Sequence, residues 1–132
     1  MGEFTQQAKQ LGCELHIVSG GFLVVASRIA EEVDVQSICC NQFKLAQDRL
    51  TGDWLGDLVD ADHKAKWMKK QTKGESSMAF GDGANDIKIF EAADIAIAID
   101  PQDGALVNHA DGVIDTQNFQ FMNQIMDSII CD

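Results

Sequence analysis

Apolar residues recur along this chain at two spacings, and the switches between them mark out the elements. Phe4, Ala8 and Leu11 lie three and four residues apart, which predicts a first helix ended by Gly12. Leu15-His16-Ile17-Val18 is an apolar run of strand length that delivers Ser19-Gly20-Gly21 at its carboxyl end. From Phe22 the helical rhythm returns through Val25, Ala26, Ile29, Ala30 and Val33. Strand, glycine turn and helix make one α/β unit. Residues 35–56 break the rhythm. A strand-like portion within Val35–Leu45, a turn at Gln47-Asp48 and a return over Arg49–Leu55 predict a small β-hairpin excursion around 37–56.

Asp60 to Lys70 then has helix-forming residues, with Ala61, Lys64, Ala65 and Met68 on related faces, and Lys73-Gly74-Glu75-Ser76 reads as a loop. Met78–Phe80 is the next strand, running into Gly81-Asp82-Gly83-Ala84-Asn85-Asp86, with a helix over Asn85–Ala92. Ile95-Ala96-Ile97-Ala98-Ile99 is a third strand, stopped by Asp100-Pro101. Its alternation of alanine with isoleucine suits a strand covered by helices on both sides. A short helix at 103–109 and a last strand over Gly112–Asp115 follow. Met122, Ile125, Met126, Ile129 and Ile130 form an apolar stripe on a closing helix.

The pattern predicts a mainly parallel, Rossmann-like sheet with helices on both faces, in one domain over residues 1–132. In such sheets ligands sit beyond the carboxyl ends of the strands. Ser19 and Asp82 both occupy that position, so their loops are expected to meet.

Composition narrows the function. The 132 residues suffice for a core, and 21 acidic against 10 basic residues give a net charge of -11. That balance argues against nucleic acid or an anionic membrane as partner. The acid serves solubility, holds a divalent cation, or does both. Cys13, Cys39, Cys40 and Cys131 form no CxxC pair and no zinc spacing with His16, His63 or His109, as expected of reduced thiols in a cytosolic protein. Met1-Gly2-Glu3-Phe4 lacks the basic start of a signal peptide, and no apolar stretch reaches membrane length. A cytoplasmic protein is the expectation.

Three groups of residues could carry chemistry. Glycines at Ser19-Gly20-Gly21 let backbone amides approach an anion, beside a hydroxyl donor and the positive end of a helix. Alternatively, Ser19 caps that helix. Asp82 and Asp86, four residues apart on a turn entering a helix, can face one point and hold magnesium. Alternatively, they cap and decorate a helix start. Lys64 could neutralise phosphate and pair with Asp86, or lie solvated near Lys66, Lys69 and Lys70.

In combination and order, VSGGF (18–22), LTGDWLGDLVDADHKA (50–65) and FGDGANDIKIF (80–90) resemble the haloacid dehalogenase superfamily, and within it the phosphoserine phosphatase branch. The likeness runs over roughly residues 8 to 115. It takes in the hairpin from Cys40-Asn41 to Thr51-Gly52, Ala92-Ala93-Asp94 with IAIAI, and the Ala110–Ile114 ending. The resemblance implies magnesium-dependent hydrolysis of a small phosphorylated metabolite. Ser19, with Gly20 and Gly21, would bind the phosphoryl group, and Lys64 would stabilise it. Asp82 would ligate magnesium, Asp86 would support the metal and orient the lysine, and Asn85 would lie nearby.

The family's reaction also uses an aspartate nucleophile and a second aspartate two residues later, on a strand well before the VSGGF-type segment. Only 18 residues precede Ser19 here, and none is aspartate. Asp60-Ala61-Asp62 has the DxD spacing but opens a helix. Asp115-Thr116-Gln117 lacks the second acid, and Ile129-Ile130-Cys131-Asp132 stops where such a motif would begin. In the family that strand lies between those ending at Ser19 and Phe80, so its absence predicts a gap or a rearranged sheet. Three expectations follow: a split or truncated phosphatase completed by an amino-terminal fragment, a non-catalytic magnesium- and phosphate-binding module able to dimerise, or an interaction protein on the inherited scaffold. The start at Met1-Gly2-Glu3-Phe4, just before the first helix, is what an excised domain would look like.

Overall fold

A computed structural model describes residues 2–118 together with 124, 127 and 128. The chain divides into two compact units, Met1–Val59 and Asp60–Ser128. The fold is α/β with mainly parallel strands, in agreement with the hydrophobic pattern.

The first unit holds α1 (Gly2–Gln10), β1 (His16–Phe22), α2 (Leu23–Val33), β2 (Ser37–Ala46) and β3 (Arg49–Leu55). Its strands pair in the order β1-β2-β3, β1 parallel to β2 and β3 antiparallel to it. The hairpin is as the sequence predicts: Gln47 and Asp48 turn it with φ of 50° and 61°. Residues able to tolerate the left-handed region suit such a two-residue turn. β1 departs from expectation by running through the glycines to Phe22. Ser19 pairs with Cys40 and Phe22 with Asn41, so Gly20 and Gly21 are extra residues in a local break of register. Phe4, Ala8, Ala26 and Val59 are the buried apolar residues of this unit.

The expected apolar face of α2 is only partly covered. Ala26 is buried, whereas Val25 and Ile29 are exposed beside Val24. Leu45, Leu50, Trp54 and Leu55 of the hairpin are exposed too. Phe22, Phe43 and Trp54 stack nearly parallel, with centroids 4.1 to 5.8 Å apart.

The second unit contains α3 (Ala61–Thr72), β4 (Met78–Gly81), a 3-10 turn (Ala84–Asp86) and α4 (Ile87–Ala92). It continues through β5 (Ile95–Ile99), α5 (Gly104–Val107), β6 (Gly112–Ile114) and a second 3-10 turn at Thr116–Asn118. β5 is the middle strand of a parallel sheet ordered β4-β5-β6. Ala96, Ile97 and Ala98 are all buried, so both faces of β5 are covered. Met68, Ala79, Ile89, Phe90, Leu106 and Ile114 complete this core. Asp60 caps α3 by accepting the His63 N–H at 2.8 Å, and Asp103 caps α5 by accepting that of Ala105 at 2.7 Å. Gln124, Asp127 and Ser128 are helical, while Met122, Ile125, Met126, Ile129, Ile130 and Cys131 lie outside the described residues.

Candidate functional site

The serine-glycine segment is held within the first unit. The Ser19 hydroxyl accepts the Gly21 N–H at 3.0 Å. It does not cap α2, whose N-cap is Phe22 and has no side-chain acceptor. The first N–H groups of that 11-residue helix therefore lack a side-chain cap, at the end where the peptide dipoles favour an anion. Little room exists for a side chain in the segment. A Cβ on Gly20 would lie 3.3 Å from the Val59 carbonyl, and one on Gly21 would lie 3.2 Å from the Ser19 hydroxyl. Asn41, which composition and motif gave no reason to single out, is buried beneath it and donates to the Gly20 carbonyl at 2.8 Å.

The acidic loop is held within the second unit. β4 ends at Gly81 and the chain turns through the 3-10 segment into α4, bringing Asp86 back under the loop. One Asp86 oxygen takes the Lys64 ammonium at 2.7 Å. The other accepts the N–H groups of Asp82 at 3.1 Å and Gly83 at 3.4 Å. Lys64 and Asp86 are both buried. Each ion thus has a direct counter-charge, the condition under which burial of charge is tolerated. Gly81 is required by this packing, because a Cβ there would lie 2.6 to 2.7 Å from the Asp86 side chain.

Asp82 differs from Asp86. Its side chain is exposed and has no hydrogen bond or ion pair among the described residues, though its carbonyl accepts the Gln102 N–H at 2.7 Å. With Phe80, Gly81, Ile99, Asp100, Gln102 and Thr116 it lines an open cleft of about 470 Å³ beyond the carboxyl ends of the strands. Hard carboxylate oxygens suit magnesium, which keeps water or phosphate for most of its coordination. The exposed Asp82 carboxylate is a donor of the kind such an ion takes. No group of three or more His, Cys, Asp or Glu side chains is assembled for a metal among the described residues. Asn85 is exposed on the same loop.

The remaining acids show uses the sequence did not reveal. Asp94 accepts both the N–H and the hydroxyl of Ser77, at 2.7 and 3.0 Å. Asp111 accepts the Ala96 N–H at 2.8 Å, and Asp100 that of Thr116 at 3.1 Å. The thiols of Cys13, Cys39 and Cys40 are free, and burial pushes each above the ordinary thiol range.

The structure thus brings Lys64 of α3 onto Asp86 of the loop that carries Asp82, and organises Ser19, Gly20 and Gly21 at the end of β1. Comparison with known proteins decides the family. The haloacid dehalogenase-like hydrolase profile matches residues 1–91, and a second profile of that description matches 65–120. The chain belongs to the haloacid dehalogenase-like hydrolases. A phosphoserine phosphatase of Archaeoglobus fulgidus is 33% identical over 121 residues, which cover 88% of this chain and 35% of the relative. One from Idiomarina loihiensis is also 33% identical, over 88% of this chain and 54% of its own length. A crystal structure of phosphoserine phosphatase in apo form superposes with a TM-score of 0.79 at 29% identity, covering 90% of this chain and 63% of that one. The chain spans about a third to a half of these two sequence relatives. No helix among the described residues is long and apolar enough to cross a membrane.

Proposed function

We propose that this chain is the phosphate- and magnesium-binding part of a phosphate monoester hydrolase of phosphoserine phosphatase type. The buried Lys64–Asp86 pair carries the reading. It holds the loop so that Asp82 presents free carboxylate oxygens at the carboxyl end of β4. Asp82 would hold magnesium, with Asn85 close by. Asp86, its oxygens occupied, would act on the metal site by fixing the loop and Lys64. Ser19, with Gly20 and Gly21, would receive the phosphoryl oxygens, and Lys64 would offset their charge. When bound, magnesium supplies charge neutralisation to a phosphoryl group in transfer. The substrate class is a small phosphorylated metabolite, and the working place is the cytoplasm.

No aspartate precedes Ser19 in these residues, so the attacking carboxylate would come from an amino-terminal segment outside residues 1–132. The uneven burial supports such a partner. Among the described residues, eight of the ten large apolar side chains left exposed, including Val24, Val25, Leu50 and Leu58, lie in the first unit.

Thermal unfolding and hydrolysis of an aryl phosphate test this together. Magnesium with inorganic phosphate is expected to raise the melting temperature. Asp82→Asn should remove the magnesium-dependent part, and residues 1–132 alone should not turn over. Turnover abolished by Asp82→Asn would reveal a nucleophile within the chain and contradict its incompleteness. No response to either ion would contradict the hydrolase reading. A dimer by native mass measurement would assign the exposed apolar face to a second copy.

A further inference from the structure

We infer that Asn41 is a positioning residue for the Ser19 hydroxyl, acting through the peptide group between Gly20 and Gly21. The inference rests on the reading of Ser19 as a phosphate ligand. Asn41 is only 7% exposed and lies on β2, in register with Phe22. Its amide nitrogen donates to the Gly20 carbonyl at 2.8 Å, and its amide oxygen accepts the Val59 N–H at 2.9 Å. This orientation of the amide gives a donor to the carbonyl and an acceptor to the N–H. Both ends are therefore used.

The Gly20 carbonyl and the Gly21 N–H belong to one planar peptide group and point in opposite directions. Asn41 holds the carbonyl end, and the Ser19 hydroxyl oxygen holds the N–H end at 3.0 Å. Two adjacent glycines without regular pairing would otherwise leave this plane free to rotate. Clamped, it fixes the lone pair that Ser19 uses internally, and so leaves the hydroxyl proton to be donated outward to an oxyanion. Asn41 would not touch phosphate. It would set which way Ser19 points.

Asn41→Asp keeps the shape and the acceptor for Val59 while replacing the donor facing Gly20 by a second acceptor. Two readouts are needed: hydrogen exchange at the Gly21 amide, and the dissociation constant for inorganic phosphate with magnesium, both far below the melting temperature. The expected result is Gly21 exchange accelerated about tenfold and phosphate bound about tenfold more weakly. As pH falls from neutral into the mildly acidic range, a carboxyl at 41 facing a carbonyl regains a proton. It can then donate to Gly20, so the affinity ratio between wild type and variant should move back toward one. A purely structural loss would leave that ratio unchanged with pH. Faster Gly21 exchange with undiminished phosphate binding, or unchanged exchange, would overturn the assignment. If wild type binds no phosphate, the hydrolase reading fails, and Gly21 exchange alone decides the clamp. Should the variant not fold, the wild-type scalar coupling between the Asn41 side-chain nitrogen and the Gly20 carbonyl carbon decides it: present, the clamp exists, and absent, it does not.

Discussion

The two units bury their sequences to different degrees. In the second, both faces of β5 are covered, and the polar groups Lys64 and Asp86 are buried as a matched ionic pair. In the first, α2 and the hairpin show large apolar side chains to the outside, and the polar group buried among the described residues is a neutral amide, Asn41. The second unit is energetically closed, because each buried charge has its counterpart. The first is open, with more apolar surface than its own elements cover. A domain that worked alone would expose less of it. The contrast also separates two ways of holding a loop, by charge around Asp82 and by amide hydrogen bonds around Gly20.

The largest effect is expected where charge is buried. Lys64→Met leaves Asp86 without its cation and should cost about 3–5 kcal/mol. Replacing both, as Lys64→Met with Asp86→Leu, should cost less than the two single changes added together. Denaturant unfolding of the four proteins gives the coupling directly. Gly81→Ala comes next. Its new Cβ meets an Asp86 side chain that the Lys64 contact prevents from yielding, so about 1–3 kcal/mol should be lost. Turning to the open unit, Val25→Ser or Leu50→Ser should change stability by less than about 0.5 kcal/mol while raising solubility, since those side chains are not packed. A larger loss would mean that the apolar face is already covered in the isolated chain.

The smallest effect belongs to the Lys88–Asp62 pair, 2.6 Å long and fully at the surface. Its hydrogen bond and charge hold the Asp62 carboxyl below the usual carboxylate range. The folded value is the lower one, so any stabilisation is present above the ordinary carboxylate pKa. It disappears as pH falls through the lowered value. Melting temperatures of Lys88→Met and wild type should differ slightly at neutral pH and coincide in strong acid.

Most elements were legible because their periodicity is local. IAIAI announces a strand covered on both sides, and Gln47-Asp48 between two apolar runs announces a hairpin. The Lys64–Asp86 contact was one of two open readings of the residues and was favoured only by the order of the motifs, since 22 residues separate the two. Asn41 was not legible. Its partners lie 21 residues before and 18 after it, and a lone asparagine in a strand carries no local signal. The same holds for the hydrogen bonds of Asp94 with Ser77 and of Asp111 with Ala96, whose partners lie 17 and 15 residues away. The apolar stripe of α2 was read correctly as a pattern. Whether it is covered depends on what else is present, which periodicity cannot report.

The most direct test is a titration of the labelled chain with inorganic phosphate at saturating magnesium, followed by amide chemical shifts. If one phosphate group bridges the two loops, Gly20 and Gly21 will respond together with Asp82 and Gly83, and all four will fit a single dissociation constant. A response confined to one loop, or none at either, would contradict a shared phosphoryl site.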